Sequence, residues 1–434
     1  MRQPYSARPA LFRPHPERLF KAAVPTNRGR DEFHRGLPSG AGAFAKGHSQ
    51  TGDKDISLCH AQDITLTCMK LRLTRKWAGA GSILLAALLT IVRGHAGEGP
   101  AAGAYTPKTP LPLHIAGTKI LNSQNQPVLL RGVNAASLEW TSDGEGHILK
   151  TLNVAIQDWQ VNIIRLPLCQ DRWFGKAPEQ KDDGKSYRAL VQEAVETCAT
   201  QGCYIILDLH WSDCHEWGTN IGQHSMPDLN SQAFWKDFAP VYANQPAVLY
   251  DLYNEPHDVS WDVWLKGGTI TDKPNGRRAG PPRTYEAVGM QALLDTVRAT
   301  GARNVIIAGG LDWAYDFSGI LDGRQLADPK GSGVIYANHC YDNKNDTVAQ
   351  WIAKMEKAGA QLPVIVSEFG GNSAPSRRDP SDDWLKHVLQ ALQEHQWSWT
   401  AWDLHRAAGP TLISDWDYTP SPRFGVFVKE ALAK

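Results

Sequence analysis

Two glutamates, far apart in the chain, stand in short runs of reactive residues: Asn254-Glu255-Pro256 and Ser367-Glu368-Phe369-Gly370. Arg165, His210, His339-Cys340-Tyr341 and Trp402 occupy comparable runs elsewhere. Two carboxyl groups brought face to face can divide acid and base work, provided their surroundings hold one protonated and the other ionised. An arginine and a phenol hydroxyl beside a carboxylate favour its ionised form, by charge and by hydrogen bonding. One such glutamate would mean little, since a strand-end Glu is more often a solvated loop residue. The convergence of many is harder to assign to chance.

Each reactive residue follows a short, apolar, β-branched run. These runs fall at 128–133, 162–166, 204–209, 248–252, 304–308, 334–337, 364–367 and 398–401. Amphipathic stretches between them predict helices at 185–201, 231–242, 285–300, 347–357 and 381–394. Continuous apolar strands alternating with helices indicate a parallel sheet covered on both faces. Eight such units predict an α/β fold, a single (β/α)8 TIM barrel over residues 111–434. A short N-terminal hairpin is expected at 113–115 and 118–121, about Ala116-Gly117. An open doubly wound sheet is the competing fold, but Gly309-Gly310 after the fifth strand lacks the spacing of a phosphate loop. A barrel places its chemistry at the C-terminal strand ends, where these residues fall.

The segments NIIRLPL, LDLHW, LYDLYNEP, NHCY, IVSEFG and TAWDL together resemble glycoside hydrolase family 5, the cellulase family of the retaining barrel clan, over roughly 113–432. The resemblance implies that Glu255 is the acid/base and Glu368 the nucleophile. It further implies that Asn254 binds the sugar 2-hydroxyl, that Arg165 and Tyr341 hold the nucleophile ionised and aimed, and that His210 and His339 line the −1 sugar site. Trp402 would be the platform beneath that sugar, followed by a cis peptide to Asp403. Retaining hydrolysis needs its two carboxyl groups about 5 Å apart. Glu255 is then expected to be protonated at rest, by its neighbour's charge and partial burial, and to act as base once a glycosyl-enzyme forms. No cofactor or metal is implied, and the partner would be a β-linked oligo- or polysaccharide.

The remaining composition fits a sugar-binding surface. Tryptophan (16) outnumbers both tyrosine (12) and phenylalanine (11), more indole than a core usually needs. Trp211, Trp217, Trp261, Trp264 and Trp313 fall in expected strand-end loops, with Trp313 the foremost candidate for a sugar platform; Trp235, Trp351 and Trp384 fall in helices and should pack. From Gly97 onward 30 Lys/Arg face 39 Asp/Glu, a net charge of −9, which argues against nucleic acid and suits a neutral substrate. The loop 211–230 collects Asp213, His215, Glu216, His224 and Asp228, but irregular spacing makes a hydrogen-bonded loop the simpler reading than a metal site. The insert 261–282, with Lys266-Gly267-Gly268 and Arg277-Arg278, is expected to shape the product side of a cleft.

Residues 69–96 read as a signal peptide: Lys70, Arg72, Arg75 and Lys76 precede an apolar stretch at 78–92, and Gly94-His95-Ala96 offers a cleavage site. The apolar stretch is short for a membrane span. Residues 1–68 are expected to be disordered or an over-extended reading frame, and 97–110 a linker. Export, a monomeric state and no membrane contact after cleavage follow as expectations. Cys169, Cys198, Cys203, Cys214 and Cys340 then remain, an odd number. Cys169 with Cys214, or Cys198 with Cys203, could meet, and sequence decides neither.

The commonest activity the resemblance implies is endo-β-1,4-glucanase. β-Mannanase, xyloglucanase and β-1,3-glucanase share the same motifs, as does transglycosylation. A catalytically inactive glycan-binding barrel is the other class, against which both glutamates, Asn254, Tyr341 and Arg165 count. No binding module or Ser/Pro-rich linker follows the barrel, so soluble or amorphous glycan is the expected target.

Overall fold

The computed structural model describes residues 109–272, 281–344, 346–371 and 383–434. The expected segments at 1–68 and 69–96, most of the 97–110 linker, and Arg277-Arg278 lie outside them. In chain order the strands are β1 (Leu113–Ala116), β2 (Lys119–Asn122), β3 (Arg131–Asn134), β4 (Ile163–Cys169), β5 (Tyr204–Trp211), β6 (Val248–Asp251), β7 (Gly267–Asp272), β8 (Arg283–Val288), β9 (Ile306–Gly309), β10 (Val334–Tyr341), β11 (Val364–Gly370) and β12 (Ser398–Ala401). Eight of these, β3, β4, β5, β6, β9, β10, β11 and β12, pair in parallel and close on themselves. The protein is a (β/α)8 barrel.

Side-chain alternation sorts each strand into two environments. Along β5, Tyr204 and Ile206 enter an inner cluster with Ile163, Leu249, Ile307, Ile335 and Ile365. Ile205, Leu207 and Leu209 face outward into the larger cluster shared with the helices. Both faces are therefore apolar, which is why the strands read as unbroken runs. The hairpin β1–β2 adds Leu113 and Ile120 to the inner cluster. That leaves the polar strand ends at the opposite mouth. Gly132 allows the closest backbone approach: a Cβ there would lie 1.7 Å from the Ile163 carbonyl oxygen.

The helices pack as expected around this wall. Lys185–Thr200, Val348–Gly359 and Trp384–Glu394 each bury one apolar stripe. Leu229–Phe238 begins with a capping box between Asp228 and Ser231. Trp235, Trp351 and Trp384 are buried on their helices.

Two expectations are corrected. The predicted helix 285–300 begins only at Met290, because Tyr285–Val288 belongs to β8, antiparallel to β7. Tyr285 and Ala287 are buried while Glu286 is exposed, a two-residue period that Gly289 separates from the helix. Trp264 is not a loop residue: it lies in the short helix Trp261–Lys266, fully buried, with its indole N–H donating to Gly309 O at 3.0 Å. The five described cysteines are all free and buried, so neither conceivable disulfide forms.

Gly132→Ala is expected to lower unfolding free energy by about 3 kcal/mol or more, as backbone cannot yield like a side chain. Chemical denaturation checks this; an unchanged midpoint would count against the close approach.

Candidate active site

The mouth is organised around a register change. β10 and β11 pair Asn338 with Val366 and then His339 with Glu368, so β11 spends one extra residue, Ser367. This bulge lets two successive β11 side chains act inside the barrel. Ser367 Oγ lies 3.0 Å from His339 Nε2, and Glu368 Oε1 accepts from Arg165 Nη1 at 2.6 Å. Tyr341 donates its hydroxyl proton to Glu368 Oε2. Both Glu368 oxygens are thus held.

Arg165 is completely buried and engages all three guanidinium nitrogens. Nε donates to Asp251 at 3.0 Å, and Nη1 also donates to Asn134 Oδ1 at 3.2 Å. Nη2 donates to Asn254 Oδ1 at 2.9 Å and lies 3.0 Å from Asp208. One cation among three carboxylates cannot neutralise them all. Burial, only partly offset by Arg165, pushes Asp208 and Asp251 each up to about 7. The same carboxylates outweigh desolvation at Arg165 and hold its proton more firmly than usual.

These bonds fix the neighbouring tautomers. Asn254 Oδ1 is taken by Arg165, so its Nδ2 faces His210 Nε2 at 3.3 Å. His210 Nε2 must then accept, and Nδ1–H donates to Asp208 at 2.6 Å. Burial holds His210 down to about 4 and His339 down to about 3, so both rings are neutral. His339 Nδ1 lies 2.8 Å from Glu255 Oε1 and 3.5 Å from Glu368 Oε2. Oxygen atoms of Glu255 and Glu368 fall within 4.8 Å of each other. Glu255, at φ 53, also accepts from Gln223 Nε2 at 2.6 Å.

The ring of Trp402 stacks on His210, centroids 5.4 Å apart, and the Trp402–Asp403 peptide is cis, as the resemblance implies. Trp313 stands beside the mouth, its ring stacked on His257 at 4.5 Å. It borders a cavity of about 530 Å³ that also meets Asp258, Trp261, Asp262, Asp316 and Arg324. The structure thus gathers Arg165, His210, Asn254, Glu255, His339, Tyr341, Glu368 and Trp402, with Trp313 further out.

Sequence reasoning missed Asn134, Asp208, Asp251 and Gln223. Asp208 was detectable, two residues before His210 and so on the same strand face; Gln223, in a loop, gave no signal. It also missed Glu139, a buried carboxyl pushed up to about 8 by desolvation, despite backbone N–H groups that pull it down. In the 211–230 loop, Gln170 and Asn230 donate to Asp213 and the His215 N–H donates to Asp228.

A family model described as cellulase (glycosyl hydrolase family 5) matches residues 121–408. The chain belongs to glycosyl hydrolase family 5. This family 5 chain is 24% identical over 300 residues to endoglucanase MaCel5A of Microbulbifer sp. (strain ALW1), covering 67% of this chain and 50% of that protein. It is 25% identical over 331 residues to endoglucanase N of Pectobacterium atrosepticum, covering 74% and 65%. The chain therefore spans between half and two thirds of these curated relatives. Among solved structures, the β-glucanase SdGluc5_26A of Saccharophagus degradans shares the fold at TM-score 0.58 and 23% identity, covering 75% of this chain and 94% of that one. A mannanase catalytic domain of Streptomyces sp. SirexAA-E matches at TM-score 0.54 and 19% identity, covering 78% and 96%.

The neutral histidines of this family 5 site have a measurable consequence. Their folded pKa values lie below the unfolded value near 6.5, so their contribution is complete above about pH 6.5 and is lost as pH falls towards 3–4. The raised Asp208 and Asp251 act oppositely, favouring the fold below about pH 4 and losing that contribution as pH rises to about 7. His339→Gln should remove one acid-side loss. The stability gap between wild type and variant should shrink by roughly 2 kcal/mol from pH 7 to pH 5 in urea titrations; a constant gap would contradict a neutral His339.

Proposed function

We propose that the chain is a retaining glycosidase, an endo-β-1,4-glucanase working by double displacement. The observation that carries this reading is the Glu255–Glu368 spacing: oxygens within 4.8 Å of each other suit direct attack on an anomeric carbon. Inverting enzymes separate these groups by about 6.5–9.5 Å to admit a water. Glu368, with one oxygen on Arg165 and one on Tyr341, is the nucleophile.

Glu255 donates its proton to the departing glycosidic oxygen while Glu368 bonds to the anomeric carbon. Glu255 then takes a proton from water, which displaces Glu368 and releases the sugar with its configuration retained. Gln223 and His339 steady Glu255 through both steps. Asn254, anchored by Arg165, has a second amide hydrogen to offer the sugar 2-hydroxyl, and Trp402 offers an apolar floor. Trp313 and its adjoining cavity suit an outer sugar.

Family membership and relatives named as endoglucanases support β-1,4-glucan as the substrate. The net negative charge is consistent with a neutral polymer. The signal-like stretch at 69–96 supports export to the periplasm or outside the cell.

Glu255→Gln and Glu368→Gln should each reduce turnover at least ~10³-fold, with circular dichroism unchanged. Carboxymethylcellulose should be the preferred substrate in a panel with glucomannan, xyloglucan, xylan and laminarin, and proton NMR should detect the β-anomer first. An α-anomer appearing first, or a fully active variant of either glutamate, would refute the mechanism; preference for glucomannan would move the substrate assignment to mannan.

A further inference from the structure

Three chemically unlike donors converge outside the sugar site. His224 Nδ1 lies 2.7 Å from Asp272 Oδ2 and 3.0 Å from Cys214 Sγ. The other ring nitrogen, Nε2, lies 2.7 Å from the Asn220 carbonyl oxygen, which can only accept. Nε2 therefore carries a hydrogen, and in the neutral ring Nδ1 presents a lone pair. Asp272 is prepared in the same way: Ser225 N and Oγ donate to Oδ1 at 3.1 and 2.5 Å, leaving Oδ2 for His224. Cys214 and Asp272 are buried, and His224 is nearly so.

A lone pair and a carboxylate oxygen at 2.7 Å need a cation between them. A proton can fill that place, and mutual attraction with Asp272 raises His224 while lowering Asp272 despite burial. A proton serves only that pair, however, and leaves the thiol outside. A nucleophilic relay is excluded by direction, because Cys214 and Asp272 face the same ring nitrogen instead of opposite ones.

We propose that Cys214, His224 and Asp272 form a binding site for a zinc-like divalent cation, distinct from the two glutamates. One sulfur, one imidazole nitrogen and one carboxylate oxygen suit zinc or cobalt(II), whereas calcium and magnesium prefer oxygen alone. Asn220 and Ser225 supply the outer hydrogen bonds that orient such ligands. Tetrahedral bond lengths near 2.0–2.3 Å separate donors by about 3.3–3.6 Å, so the three would spread by about half an ångström. Binding releases the thiol proton and the imidazolium proton to solvent, and water completes the coordination.

The position gives the site a consequence. Cys214 and His224 lie on the loop after β5, and Asp272 ends β7 of the inserted hairpin. The cation would clip hairpin to loop one residue from Gln223, which bonds Glu255. These are positioning residues, not catalytic ones.

Full-length protein, reduced and treated with chelator, is to be titrated with cobalt(II) chloride and then zinc chloride. Expected are one bound cobalt per chain, a near-ultraviolet thiolate-to-cobalt absorption that zinc displaces, and a zinc-dependent rise in Tm. Cys214→Ser should lose the absorption, and Asp272→Asn should weaken binding at least ~10-fold, each with wild-type circular dichroism. Glu368→Gln should bind cobalt normally. Absence of the band in wild type, its persistence in Cys214→Ser, or its loss in Glu368→Gln would overturn the proposal. None of these readouts depends on glycan hydrolysis, so the site and the proposed activity fail separately.

Discussion

Arg165 is a guanidinium held in the interior of the barrel with Asp208, Asp251 and Glu368 around it. Removing a cation from water is costly, and it is tolerated only where good geometry and further hydrogen bonds compensate. Here those bonds come from three strands, β3, β6 and β11, and from the loop after β6. A single side chain on β4 therefore sets the positions of Asn134, Asp251, Glu368 and Asn254 together. The orientation of Asn254 passes to His210, and from His210 to Trp402 by stacking. Much of the mouth is one connected polar network, not a set of separate residues.

That connectivity explains why the polar layer sits where it does. The lower barrel is filled by branched apolar side chains and closed by the β1–β2 hairpin. A network of buried charges could not be satisfied there, since nothing polar is present to receive it. Moved outward to the open rim, the same charges would lose the low-dielectric surroundings that strengthen them. The layer just above the apolar plug meets both conditions.

The sequence made the barrel legible because its strands are buried on both faces, and such runs stand out against amphipathic helices. It made the two glutamates legible because each lies in a compact motif at a strand end. Asp251 was hidden because its only signal is a through-space partner from another strand. Gln223 was hidden because loop conformation, not periodicity, brings it to Glu255. The β7–β8 insert was misread because Gly267-Gly268-Thr269 carries little apolar pattern and only Gly289 stands between Tyr285–Val288 and a true helix. Local composition records packing well, and contacts made across the fold poorly.

The extra residue in β11 bears on how this strand can change over time. Losing Ser367 would restore regular pairing with β10 and leave Glu368 on the inner face, but it would take away the hydroxyl that stands 3.0 Å from His339 Nε2. A gain of one residue on the same stretch would rotate the glutamate out of line with Arg165. Length variation is therefore shut out of this segment and pushed to the connecting loops and the hairpin beyond Trp261. Lineages descended from this barrel can differ in what their rims hold while the strand that carries Glu368 stays fixed in length.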